Sequence, residues 1–233
     1  MPRIILIETS TALCSTALVE GDSIICYRES TTPRAQAAMT APFVKEILDS
    51  QGLRATDCDA VCVSMGPGSY TGLRVGVSTA KGLCFGAQKP LLAVGTLDTL
   101  VWQAVDEGLL PDGCRCVVPM VDARRMEVYA AVFTDSGEGF RQITETAPQI
   151  VVADSFAEQL NDGPVLFIGD GAGKCADVLQ HPNAHFVQCC PKASAMRRPA
   201  LEAFARGDFR DIAYFEPFYL KQFVATVSQK KLF

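Results

Sequence analysis

One glycine-rich stretch carries the residues whose types and spacing first suggest chemistry. The sequence from Ser64 to Gly82 reads SMGPGSYTGLRVGVSTAKG, with hydroxyl side chains among its glycines and basic residues near its end. Glycine lets backbone N–H groups approach a phosphate closely, so a nucleotide loop is the first hypothesis. The Walker pattern, however, places lysine directly after its second glycine. Here Gly68 and Gly72 are one residue too close for that pattern, and Leu73 stands where the lysine would be.

The helix predicted from about Thr71 to Gly86 offers a different signal. Gly72, Gly76 and Ala80 recur at every fourth residue, which places them on one face of the helix. Glycine inside a helix costs about 1 kcal/mol relative to alanine, so a close packing contact is expected to compensate. The contact is either with the chain's own sheet or with a helix of another protein. The apolar side chains that would join an interface with another protein are Met39, Phe43, Leu73 and Val77.

Two other segments are candidates for nucleotide-binding turns. Thr9 and Ser10 follow the first predicted strand and offer hydroxyl groups, but that turn contains no glycine. The loop with Gly169, Gly171 and Gly173 follows a later strand, precedes a predicted helix and is suited to contact an anion or a ribose. One suitable loop is too little to predict a cofactor. Weak binding of ATP or ADP, in the chain alone or only in a complex, stays open.

Metal sites and nucleophilic sites find little support. His181 and His185 have the spacing of a metal-binding pair, but Pro182 follows the first histidine and no acidic ligand is near. The ten cysteines lie mostly among apolar neighbours and form no C-x-x-C pair, which is typical of core packing. The same two histidines are also the only ones available as a base for a serine nucleophile. We therefore expect neither a metal nor a catalytic residue.

Composition and charge exclude several classes of protein. The chain has 233 residues, of which 48% are hydrophobic, and a formal net charge of −5. It has no apolar run of about eighteen residues, so we expect no membrane contact. A nucleic-acid surface needs a basic stripe, which is not seen here, so tRNA contact is expected only through a complex. The apolar start is too short for a signal peptide, and we expect a cytoplasmic protein.

The order of predicted elements repeats in the two halves of the chain. Each half begins with three strands and continues with a helix, a strand and another helix, and its first strand ends in an acid, Glu8 or Asp122. Strands mixed with crossover helices favour an α/β fold with helices on both faces of each sheet. Two lobes of this βββαβα type are the architecture of the actin-like (ASKHA) superfamily. We predict lobes at residues 1–105 and 106–233, with the C-terminal end able to pack back on the first.

Four sequence blocks resemble the bacterial TsaB (YeaZ) family. They are LIETST, GPGSYTGLRVGVSTAKGL, VDARRMEVYAAVF and EPFYL, and they follow one another in the expected order along the chain. The second block is long and specific, whereas the others are short. Two positions depart from the family's pattern, because Glu8 stands where Asp is usual and Lys221 stands where Arg is usual.

The resemblance implies a role in forming threonylcarbamoyladenosine on tRNA. Members of this family resemble the catalytic subunit TsaD in fold, and hence are also labelled glycoprotease-like, but they are not the catalyst. The H-x-x-x-H pair of the catalytic relatives is absent from the helix after the third strand. The implied partners are a TsaD-type subunit, a TsaE-type ATPase and, in isolation, a second copy of the chain. The resemblance therefore favours contact of the small-residue face of the helix with a partner protein over contact with the chain's own sheet. The alternative function is that of an actin-like small-molecule kinase or ATPase.

Overall fold

Two mixed β-sheets, each with helices on both faces, make up the described part of the protein. The computed structural model describes residues 1–32 and 35–220, so Lys221 lies outside the described residues. The strands are β1 (Arg3–Glu8), β2 (Cys14–Glu20), β3 (Ser23–Ser30), β4 (Ala60–Ser64), β5 (Leu91–Val94), β6 (Cys116–Asp122), β7 (Glu127–Ala130), β8 (Phe133–Asp135), β9 (Phe140–Gln142), β10 (Ala147–Ile150), β11 (Val165–Ile168) and β12 (Ala184–Val187). The α-helices are α1 (Gln36–Asp49), α2 (Tyr70–Ala87), α3 (Thr96–Asp106), α4 (Ala157–Asp162) and α5 (Arg197–Arg206).

The first sheet has the strand order β3-β2-β1-β4-β5. Strand β1 pairs antiparallel with β2 and parallel with β4, and β4 pairs parallel with β5. Every residue of β1 from Ile4 to Glu8 is buried, as expected for an apolar strand covered on both faces. Helices α1 and α2 cover one face, where Ile47, Val77 and Ala80 pack against Ile5 and neighbouring residues.

The other face of the first sheet is covered from the far end of the sequence. A 3-10 helix, Ala193–Met196, leads directly into α5, and both lie on this face. Their buried side chains share one core cluster with residues of β1, β2, β4 and β5, and these side chains are Ala193, Met196, Ala200 and Ala203. The core of the first sheet is therefore completed by residues from beyond the second sheet.

The second sheet has the order β10-β7-β6-β11-β12, and β8 pairs with both β6 and β9. Helix α3 packs on one face of this sheet through Leu97 and Leu100, and Leu160 of α4 packs on the other. The two sheets take residues 3–94 and 116–187, on either side of α3. The α/β class with two mixed sheets is thus confirmed, while the limits of the two lobes stay a prediction.

The second half differs in detail from the predicted βββαβα order. The apolar sequence from Glu127 to Thr134 predicts one strand, but it forms β7, which pairs with β6 and β10, and β8, which pairs with β6 and β9. Strand β10 contains Pro148 and was not expected at all. The loop at Gly169–Gly173 leads only into the 3-10 helix Gly173–Cys175, because its backbone is tied to neighbouring strands.

Candidate functional site

The turn after β1 lies directly beneath the start of α2. Thr9 and Ser10 are fully buried there. The Thr9 hydroxyl donates a hydrogen bond to the carbonyl oxygen of Gly72 over 2.8 Å, and the Ser69 N–H donates to the carbonyl oxygen of Ser10 over 2.6 Å. A Cβ atom on Gly72 would overlap the Thr9 carbonyl oxygen, and one on Gly68 would overlap that of Ser10. The glycines of the GPGSYTG block therefore let a helix close onto a strand turn.

This packing corrects the expectation that Thr9 and Ser10 could contact a nucleotide. Phosphate binding at such a turn needs backbone N–H groups that a ligand can reach. Here the side chains of both residues are inaccessible, and the N–H group of Ser10 donates over 2.6 Å to the Glu8 carboxylate. The turn is filled by the chain's own helix, so it does not fit a phosphate group.

The small-residue face of α2 is also corrected by the structure. Gly72, Gly76 and Ala80 are buried, and a Cβ on Gly76 would overlap the Thr9 hydroxyl oxygen. The expected interface residues Leu73 and Val77 lie on the same inward side of the helix and are buried with them. The close approach predicted from the glycine spacing exists, but the approached element is the chain's own β1–β2 turn. These residues are not available to a partner.

The residues of helix α1 that were expected at an interface are also partly or fully buried. Phe43 is buried and Met39 is half-buried, so the side of α1 chosen from sequence is largely turned towards the core. The opposite sides of both helices are exposed. They carry small or apolar residues, which are Ala37, Ala38, Ala41 and Pro42 on α1 and Thr71, Ser78, Gly82, Phe85 and Gly86 on α2, beside the charged residues Lys45, Glu46, Asp49 and Arg74. Phe85 is the extreme case, with 81% of its surface exposed. The sequence signal for this surface is Phe85, an aromatic residue that lies outside the face formed by Gly72, Gly76 and Ala80. The four-residue spacing of the small residues says nothing about it.

The chain's later residues run beside α2 and add aromatic surface to it. The Lys81 ammonium donates to the Ala213 carbonyl oxygen over 3.2 Å, which brings the backbone just before Tyr214 alongside α2. Tyr214 is 84% exposed. At the other end of α2, the ring centroids of Tyr70 and Tyr219 lie 5.1 Å apart. Exposed aromatic side chains beside small residues are typical of a protein interaction site.

Glu8 is a buried carboxyl group at the end of β1. One of its oxygens accepts hydrogen bonds from the Ser10 N–H over 2.6 Å and from the Ser64 hydroxyl over 2.9 Å. Its other oxygen is buried and has no partner among the described residues. Burial raises the pKa of Glu8 to about 7, because removing a carboxylate from water disfavours the charged form. Glu8 is therefore an interior group and does not face a substrate.

The glycine loop after β11 has its backbone donors already engaged. The N–H groups of Gly169, Gly171 and Gly173 donate to the Val187 carbonyl, the Met120 carbonyl and the Gln188 side chain, respectively. Since these N–H groups are bound within the chain, they do not support the expectation that this loop contacts an anion, and its contact with a ribose stays a prediction. The glycines instead allow close packing, because a Cβ at Gly169 would overlap the Met120 carbonyl oxygen.

Asp122, the acid that ends β6, is held by neighbouring groups. Its carboxylate accepts hydrogen bonds from the Lys174 ammonium and from the Arg124 N–H. Its own N–H donates to the Asp170 side chain over 2.9 Å. Asp122 is therefore an ion-paired, half-exposed group at the end of β6.

The histidine pair and the cysteines do not come together in a metal-binding geometry within the described residues. Within the described ranges, no group of three or more His, Cys, Asp or Glu side chains is placed to hold a metal ion. His181 accepts a hydrogen bond at Nδ1 from the Asn183 N–H over 3.2 Å, and His185 lies exposed in β12. All ten cysteines are free thiols, six of them buried. Burial raises the pKa of several of these thiols, Cys62 among them, which disfavours the reactive thiolate.

Comparison with known proteins identifies the family. The family model described as TsaD, tRNA N6-adenosine threonylcarbamoyltransferase, matches residues 30–207. The tRNA threonylcarbamoyladenosine biosynthesis protein TsaB of Escherichia coli (strain K12) is 31% identical in an alignment of 231 residues that covers 96% of each chain. The chain belongs to the TsaB (YeaZ) family.

Further TsaB relatives and solved structures agree with this membership. The TsaB protein of Haemophilus influenzae is 28% identical over 97% of this chain and 95% of its own length. YeaZ from Pseudomonas aeruginosa superposes with a TM-score of 0.81 at 28% identity, covering 94% of this chain and all of that one. A second Pseudomonas aeruginosa structure, described as similar to peptidase YeaZ, has a TM-score of 0.84 at 28% identity over 95% of this chain.

The TsaB resemblance stated from the four sequence blocks is therefore confirmed. Among the residues that the structure describes, no helix is both long and apolar enough to cross a membrane.

Proposed function

We propose that this chain is the non-catalytic TsaB-type subunit in threonylcarbamoyladenosine formation on tRNA. In this role it binds and stabilises a TsaD-type catalytic subunit, works with a TsaE-type ATPase, and contacts tRNA only within the complex. The similarity to TsaB proteins along nearly the whole chain supports the pathway. The non-catalytic role rests on one observation, the burial of the β1–β2 turn beneath α2.

The buried turn also argues against the kinase alternative. A phosphoryl-transfer site needs its phosphate turn and its acid open to the substrate. In this chain Thr9 and Ser10 are inaccessible, Glu8 is interior, and Asp122 is bound to Lys174. We propose that the chain has no cofactor of its own, and that any weak ATP or ADP contact forms only in the complex.

The isolated chain should neither modify tRNA nor hydrolyse ATP. The physical reason is that both candidate acids and both candidate turns are occupied by the chain itself. The measurement compares ATP hydrolysis and tRNA modification by the chain alone with those by the chain plus TsaD-type and TsaE-type proteins. Turnover by the isolated chain that is lost on Glu8→Ala or Asp122→Ala would contradict the proposal.

We assign partner binding to the exposed sides of α1 and α2. This surface combines small residues, which allow close approach of another helix, with the exposed rings of Phe85 and Tyr214. Aromatic residues at the centre of an interface commonly carry most of its binding energy. We propose that a second copy of the chain uses the same surface when no TsaD-type subunit is present.

Phe85→Glu should weaken binding of the TsaD-type subunit by roughly thirtyfold, since losing an aromatic anchor costs about 2 kcal/mol or more. The variant should also be monomeric in isolation. Its melting temperature should barely change, because Phe85 is 81% exposed. Size-exclusion chromatography and calorimetric titration measure these effects.

The matched control is Ile143→Glu, which places the same charge on an exposed apolar residue of the second sheet region. It should leave both associations intact. Equal binding by Phe85→Glu and the parent chain would show that the partner uses another surface, even if the chain proves to act in the tRNA pathway.

A further inference from the structure

The turn between β6 and β7 presents two arginines in an uncommon backbone conformation. Arg124 and Arg125 have φ angles of +72° and +52°, in the left-handed region that non-glycine residues seldom adopt. Both residues are exposed. Two consecutive residues in this region persist only where surrounding structure holds them, and such positions are common at binding sites.

Lys174 holds this turn from within. Its ammonium group donates hydrogen bonds to the carbonyl oxygens of Arg125 and Glu127, each over 2.7 Å, and also to the Asp122 carboxylate. The lysine thereby pairs with the Asp122 carboxylate, the acid nearest to the two arginines in sequence. It fixes the shape of the turn and leaves both guanidinium groups at the surface.

Neither guanidinium group has a partner of opposite charge in the described part of the chain. No ion pair within residues 1–32 and 35–220 includes Arg124 or Arg125. The chain as a whole carries a formal net charge of −5. Two adjacent unpaired arginines on an acidic protein are a local site for negative charge.

Exposed apolar side chains adjoin the two arginines. Met126, Ile150 and Val152 are 38%, 68% and 49% exposed. They lie at one place in the fold, because the Val151 N–H donates to the Met126 carbonyl oxygen over 3.3 Å and Ile150 stands opposite Glu127 in the sheet. This is also the end of the sheet where β10 is the outermost strand.

We propose that these residues form a docking site for a segment of another protein that carries carboxylates beside apolar side chains. We call the site the arginine edge and define it as Arg124, Arg125, Met126, Ile150 and Val152. The arginines match carboxylates in charge, and the apolar residues match aliphatic or aromatic side chains of the same segment. The site lies on the second sheet and is independent of the α1–α2 surface proposed above for the TsaD-type subunit.

The apolar half of the arginine edge favours a protein over RNA. A nucleic-acid site needs a run of cations along the phosphate backbone, whereas this site has two, with exposed Asp154 nearby in sequence. Phosphates would also leave Ile150 and Val152 without apolar contacts. A peptide in which acidic and apolar side chains alternate can contact both the arginines and the apolar residues of the arginine edge.

The test measures binding of short fluorescein-labelled peptides to the full chain by fluorescence anisotropy. One peptide alternates Glu with Leu, a second has Gln in place of Glu, and a third has Lys. The parent chain should bind the Glu peptide in preference to the other two, more weakly at high salt. The double variant R124E/R125E should bind the Glu peptide at least about tenfold more weakly and should gain affinity for the Lys peptide. Ile150→Ser should weaken all binding several-fold.

The matched control is R141E/R206E, which makes the same change of charge at two exposed arginines elsewhere on the surface. It should bind the Glu peptide as the parent does. Equal binding by R124E/R125E and this control would overturn the proposal. So would tighter binding of a labelled oligouridylate than of the Glu peptide. Self-association of the parent that R124E/R125E abolishes would also overturn it, by making a second copy the occupant.

Discussion

Gly72→Ala should destabilise the isolated chain by about 3 kcal/mol, although alanine is the better helix former. The added methyl group would overlap the carbonyl oxygen of Thr9, which belongs to the backbone and cannot rotate away. The turn after β1 would have to shift away from α2 and lose the hydrogen bond between the Thr9 hydroxyl and the Gly72 carbonyl. Urea unfolding of the isolated chain measures the change. Gly76→Ala should cost less, because its methyl group would meet a side-chain oxygen.

Gly82→Ala on the same helix is the matched control. A Cβ at Gly82 would have no atom within 4 Å, so the substitution should stabilise the chain by about 0.5 to 1 kcal/mol through helix propensity alone. Both substitutions replace glycine by alanine, but the resulting changes in the free energy of unfolding should have opposite signs. If Gly72→Ala is also stabilising, the inward packing of this face is wrong and the original expectation of an exposed interface regains support.

Glu8→Gln should stabilise the chain above neutral pH by up to about 3 kcal/mol. Burial raises the pKa of Glu8 from 4.5 to about 7 in the folded chain. Between those two values the folded chain holds a proton that the unfolded chain has released, so stability falls as the pH rises and is lowest above about pH 7. Glutamine carries no charge and keeps an oxygen that can accept from Ser10 and Ser64. Its advantage should therefore be near zero at pH 4 and largest at pH 8.

Asp98 is a second buried carboxyl group that contributes to the pH dependence of stability, so a variant without it is needed as a control. Burial also raises the pKa of Asp98, from 3.8 to about 6, so its carboxyl group should make stability fall with pH in the same direction. Unfolding of the parent, Glu8→Gln, Asp98→Asn and the double variant should be followed from pH 4 to pH 8. The slope attributed to Glu8 should vanish in both variants that lack it. A parent-like slope in the double variant would show that neither carboxyl group is responsible.

The elements around the candidate site were predictable where a sequence pattern is compatible with only one kind of secondary structure. The helix expected from Thr71 to Gly86 is α2, Tyr70–Ala87, and in the structure the Ser69 side chain caps its start by accepting from the Gly72 N–H. The four-residue spacing of Gly72, Gly76 and Ala80 correctly indicated close packing. What spacing cannot supply is the neighbour, because a turn of the same chain and a partner helix demand the same small residues.

The second sheet was harder to predict because its strands change partners within apolar runs. The segment from Glu127 to Thr134 reads as one strand, but it is divided where pairing passes from β10 and β6 to β6 and β9. Strand β10 is an edge strand with Pro148, and such strands have a weak pattern because they need few buried side chains. Burial of Thr9 and Ser10 was missed for a related reason, since small polar residues are typical of exposed turns.

The burial of one face of the first sheet by the 3-10 helix Ala193–Met196 and α5 has a consequence for protein synthesis. Within the described residues, the face formed by Ile4, Leu6 and their neighbours is covered largely by side chains from Ala193 to Phe204. On a ribosome that adds roughly 5 to 20 residues per second, the nascent first sheet would expose this apolar surface for on the order of 10 s after its own last strand has emerged. During that interval the surface is open to chaperones and to other nascent chains, and the core of the first sheet is completed only after residues 193–203 have left the ribosome.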